Sequence, residues 1–189
     1  MELINPTVYG ESFAKLIDPD KLNVLGPGNA EMKYLAQLES MDLSQSFTPK
    51  DVKDRDYAKA CLAGIWLHHD FLDQSHTLSQ SILNTTGSYW HGIMHRREGD
   101  YWNSKYWFRR VGEHPIFNTL NKGVVFLCSE TNIDQISHFT TQSTWDPFHF
   151  VDLVEEVINS GSELEKLCQK IQLLEWQLLF DYSFTTACH

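Results

Sequence analysis

No Cys-x-x-Cys pair occurs in this sequence; its cysteines, Cys61, Cys128, Cys168 and Cys188, stand far apart. Zinc ribbons, thioredoxin-type redox motifs and dense disulfide frameworks all need closer spacing and lose their support. No apolar run approaches membrane-spanning length, and the opening MELINPTVYGE has neither a basic leader nor an apolar h-region. The expectation is a protein of the reducing cytoplasm with no membrane partner. Basic charge is also scarce: 15 lysines and arginines stand against 25 acidic side chains, for a net charge of -10. Neutralising phosphates takes a basic surface, so nucleic acid is not an expected partner. HExxH and the GxSxG elbow are absent, and Gly26-Pro27-Gly28-Asn29 lacks the Gly-Lys-Ser/Thr ending of a phosphate loop.

What the chain does have is apolar periodicity. A hydrophobic content of 42% is enough for one folded core and argues against disorder. A short helix is expected around Glu11 to Ile17. Asn29 is placed to cap a second from Ala30 to Met41, with Met32, Leu35, Leu38 and Met41 turned inward. From Arg55 a strong helix carries Leu62, Ile65, Trp66 and Leu67, with Gly64 permitting a close helix approach. Leu72 to Leu83 continues helically after a break near Asp70, and Asn84 to Gly87 reads as its end. Beyond Pro115 a further turn is expected, interrupted at Gly123. The strand-like VVFLC at 124–128 is read as buried extended chain or helix, and Ser129 to Thr144 as a long polar loop. Asp146-Pro147 opens a helix to about Asn159. Ser162 and Glu165 form a capping box for the last one. The fold expected is all-α: one domain, a helical bundle or array. Its parts are an N-terminal arm (1–28), helical hairpins (29–120), a loop-rich connector (121–145) and a C-terminal helical pair (146–182). A homodimer is compatible with this reading.

The stretch from Ser88 to Pro115, SYWHGIMHRREGDYWNSKYWFRRVGEHP, is organised differently. Gly99-Asp100 separates two runs of helical period, giving a helix, tight turn, helix unit over about 88–111. Four of the chain's five arginines, Arg96, Arg97, Arg109 and Arg110, lie here. A guanidinium fork suits carboxylates and phosphates, so either internal ion pairs or a pocket for an anionic small molecule or peptide is implied, with exposed Trp102 or Tyr106 beside Arg109 able to stack a ligand.

Gly92, Gly99, Tyr101, Ser104 and Phe108 recur at the spacings of a tetratricopeptide repeat, with Pro115 one residue early for its closing proline. This hairpin therefore resembles one such repeat. HRREGDYWNSKYWFRRVGEHP also resembles the signature of an uncharacterised bacterial and fungal family, sometimes described as tetratricopeptide-like. The resemblance implies helical packing and no activity. His91 and His95 stand where the repeat usually has a leucine and a tyrosine, and imidazoles in such a seam need partners.

Spacing supplies candidates for those partners. His69, Asp73 and His76 lie at offsets 0, +4 and +7, as do His91, His95 and Glu98. Each set would project from one face of an unbroken helix. Facing one another, they would form a hydrogen-bonded polar seam, a site for a divalent metal such as Zn, Fe or Mn, or a metal-free ligand or acid-base site. His76, His91, His95, Glu98 and Asp73 are the candidate metal ligands. The candidate ligand-binding set is His76, His91, His95, Arg96, Arg97, Glu98, Trp102 and Arg109. His68, His114, His138, His149 and His189 are expected as surface or incidental groups. Two functions follow: a tetratricopeptide-like module with a His/Arg-rich inter-helix site for an anionic ligand or peptide, or a small helical metalloprotein or metalloenzyme. The sequence leaves open whether the protein is an enzyme.

Overall fold

A computed structural model describes residues 4–131, 133 and 136–189. Among these the chain forms ten α-helices and no strand. After a 3-10 turn at Pro6–Tyr9 come α1 (Glu11–Ala14) and, past a 3-10 turn at Met32–Tyr34, α2 (Leu35–Glu39). Then follow α3 (Arg55–His68), α4 (Leu72–Gln80), α5 (Thr85–Glu98), α6 (Tyr101–Val111), α7 (Phe117–Ser129), α8 (Ser137–Thr141), α9 (Pro147–Val157) and α10 (Glu163–Cys188). None of the described helices is long and apolar enough to cross a membrane.

The bundle is built around α5, which is buried from Thr86 to Arg97. A helix covered on all sides has no dominant apolar stripe. It packs against α3, α4 and α6, and Trp90 meets Trp176 of α10 edge to face. Gly64 makes the α3–α5 approach close: a Cβ there would lie 2.8 Å from the Trp90 ring. Its carbonyl, on the same turn, accepts from Trp176 Nε1 at 2.8 Å.

Asn84 does not close α4. Its side chain accepts from Gly87 N–H and caps α5, which begins three residues before Ser88. Asparagine satisfies the orphan amides of a first helical turn, so a polar cluster read as an ending serves as a beginning. At the other end Gly99 takes a left-handed φ of 87°, and the amides of Gly99 and Asp100 bond to the carbonyls of Arg96 and His95. That paired closure is a Schellman motif, which favours glycine at the left-handed position. Asp100 then caps α6 through the Asn103 amide, so the turn sets how α6 returns along α5.

Other expectations need correction. The segment 124–128 takes the helical of its two readings, inside α7, and Gly123 is buried within that helix rather than interrupting it. One face of α7 packs on the core, and burial outweighs the weak strand preference of two valines. Met32 is 63% exposed, because α2 begins only at Leu35 and the preceding turn is 3-10, which changes the face it presents. His68 and His114 are buried. His68 lies against the Trp176 ring, its Nε2 accepting from the Asp18 amide, while His114 is tied to Thr86 at 3.0 Å. The long polar loop includes α8, with residues 132, 134 and 135 outside the described set.

Candidate metal centre

α4 runs back along α5, which brings His76 against His91 and His95. The ring centroids are 4.6 Å apart for His76–His91, 5.3 Å for His76–His95 and 4.7 Å for His91–His95. Taking one ring nitrogen from each, the three potential ligand atoms lie within 4.8 Å of one another. His91 and His95 are buried and His76 is half-buried, so the group has a closed wall and one more open side. The four-residue spacing of His91 and His95 supplies one edge of the triangle, and the α4–α5 crossing supplies the third corner.

Hydrogen bonds orient two of the rings. Ser79 Oγ lies 2.9 Å from His91 Nδ1 and donates to the His76 carbonyl at 3.2 Å. With Ser79 Oγ at Nδ1, coordination of a metal by His91 falls to Nε2. Glu98 Oε2 lies 3.0 Å from His95 Nδ1, and the Asn103 side-chain amide lies 3.1 Å from His95 Nε2. An amide NH2 can only donate, so Nε2 accepts and Nδ1 carries the proton. In both rings Nδ1 is engaged by a side chain of the scaffold, Ser79 for His91 and Glu98 for His95. Trp107 of α6 covers His91 at 4.1 Å between centroids.

The electrostatics favour uncharged rings at His91 and His95. Burial, then His95 and His76, push the His91 pKa down to about 3. Burial also lowers that of His95, partly opposed by Glu98. Neutral imidazole is the form that binds metal.

The arginines do not share this pocket. Successive helix positions turn by about 100°, which carries Arg96 and Arg97 away from the histidine face and into the core. Arg96 pairs with Glu175 of α10 at 2.6 Å, and its guanidinium lies over the Phe150 ring. Arg97 donates to the Gly26 carbonyl and pairs with Asp70. The expected His/Arg-rich pocket is therefore two separate structures: a histidine group and internal ion pairs. Trp102 is 73% exposed on α6 with Tyr106 packed against it, and Arg109 is exposed on the same helix.

Of the remaining candidates, Glu98 reaches the site only through His95 Nδ1. Asp73 is exposed and lies outside the group of three. His69 is separated from His76 because α3 ends at His68 and Asp70 takes a left-handed φ of 63°. It faces Glu31 and the Leu16 carbonyl instead, pinning the N-terminal segment to the bundle. Ser79, Asn103 and Trp107 did not emerge from the sequence. Ser79 had a faint signal, three residues after His76 on one helix; the other two depend on the return path of α6. A groove of about 650 Å³ lies elsewhere, lined by His114, His138 and Asp146 among others, and it holds no comparable group of donors. No protein-family model, curated protein or solved structure was found to match this chain.

Proposed function

We propose that this is a small helical metal-binding protein whose centre is formed by His76, His91 and His95. The observation that carries the reading is the mutual approach of three ligand atoms to within 4.8 Å on a largely buried wall. Zinc held at about 2.0–2.1 Å by each nitrogen would set them roughly 3.3 Å apart, a closure of up to about 1.5 Å by ring rotation. His76, half-buried and on the open side, is the ring best placed to move. Zn fits three imidazoles best; Fe and Mn are the alternatives. Ser79 and Glu98, each at an Nδ1, hold the rings as partners of metal-bound histidines commonly do.

The test is metal content after loading with Zn and gel filtration, in the whole chain and in the His91→Ala, His95→Ala double variant. About one equivalent in the wild type and none in the variant supports the centre. Ser79→Ala should weaken binding about 10- to 100-fold. A metal-free wild type that loses its fold on the same double substitution would show that the group is a structural seam instead.

A further inference from the structure

The donor set has three members. Among the described residues no further His, Cys, Asp or Glu joins the group within 4.8 Å. Glu98 is engaged at Nδ1 of His95, on the side of the ring away from the lone pair. Zinc prefers four ligands, and sites with three protein ligands leave the last position to water or a small molecule.

What stands beside that position is the Asn103 amide. It is half-buried and donates to His95 Nε2, the atom that a metal would occupy. When that lone pair turns to a cation, the NH2 loses its acceptor and is free to donate to another group at the same place. Its hydrogens repel the cation and attract whatever electron-rich group the cation holds. Asn103 is also well anchored, since its backbone amide is bonded to Asp100 in the turn that joins α5 to α6.

Charge selects the kind of ligand. A divalent cation on three neutral imidazoles brings two positive charges into a partly buried pocket, which Glu98, at the outer nitrogen of His95, offsets only in part, so an anion is favoured there. Resting on the metal-centre reading, we infer that the remaining coordination position takes a small anion, of the carboxylate or oxyanion type, and that Asn103 is its hydrogen-bond donor and positioning residue.

The experiment uses the whole chain loaded with Co(II), titrated with azide and followed by the visible ligand-field spectrum. The wild type should bind Co(II) and respond to azide with a saturable spectral change. In Asn103→Leu, Co(II) affinity should be equal or higher because the competing donor is gone, while azide affinity falls about tenfold or more. Asn103→Asp keeps the shape and suits the first turn of α6, yet its carboxylate repels an anion or occupies the position itself; it should bind Co(II) and give no azide response. A Co(II) spectrum unmoved by azide in the wild type, or unchanged azide affinity in Asn103→Leu, overturns the inference and leaves the metal centre intact. Failure of the wild type to bind Co(II) overturns both.

Discussion

Replacing Glu175 by Gln tests the ion pair at the centre of the bundle. Arg96 and Glu175 are both 0% exposed. Glu175 Oε2 accepts from Arg96 at 2.6 Å and Oε1 from the Tyr89 hydroxyl at 3.0 Å. Arg96 Nε and Nη1 have no hydrogen-bond partner, so this carboxylate carries most of the compensation for a fully buried positive charge. The amide variant keeps size and one acceptor oxygen but removes the counter-charge. Breaking a buried pair in this way costs about 3–5 kcal/mol, and the retained acceptor places Glu175→Gln near the low end. At roughly 2–4 °C per kcal/mol for a chain of this size, Tm should drop by about 6–12 °C. Urea unfolding followed by tryptophan fluorescence and circular dichroism gives the free energy. Arg96→Met with Glu175→Leu removes both charges and should recover part of the loss, since apolar replacements of buried pairs are often neutral or better while the buried Tyr89 hydroxyl loses its acceptor. A Glu175→Gln variant within about 1 kcal/mol of wild type, or a double variant as damaged as the single one, would refute the assignment of a charge held by one partner.

Two further predictions concern acid and packing. The His91 and His114 pKa values are pushed by burial down to about 3 and about 4, below the roughly 6.5 of an unfolded chain. Between those values the unfolded state binds protons that the folded state refuses, so stability is complete above about pH 6.5 and falls as pH drops toward 4. Urea midpoints between pH 7 and 5 should show that decline, with a shallower slope in His114→Gln; a flat profile would contradict it. Gly64→Ala places a methyl 2.8 Å from the Trp90 ring, itself fully buried and bonded to Ser183. Overpacking of about 1–3 kcal/mol should exceed the roughly 1 kcal/mol gain in helix propensity, and a more stable variant in urea would show that the α3–α5 approach is looser than described.

The legible part of the site is the part written within one helix. His91 and His95 are four apart, so any helix through them presents both on one side. The tight turn at Gly99-Asp100 was equally plain, because a left-handed residue followed by an aspartate cap has few other readings. His76 was reachable from sequence only on the assumption that its helix faces theirs, and the same reasoning placed His69 there too. One left-handed residue, Asp70, sends His69 to Glu31 instead. Arg96 and Arg97 resembled ligand-binding groups because their partners, Glu175 and Asp70, are 79 and 27 residues away along the chain. Burial of His68 and His114 has the same origin: each is covered by helices whose approach no local pattern encodes.

The amino-acid order alone determined an all-helical chain, the starts of α3, α4, α6 and α9 and the caps of α9 and α10, and a pair of imidazoles on one helical face. These follow from backbone hydrogen bonding and side-chain period, which act over a few residues. The tertiary structure decided that His76 completes the group, that the arginines turn inward, and that Ser79, Asn103 and Trp107 surround it. Those outcomes depend on which helices meet and at what register, and that is set by burial summed over the whole core.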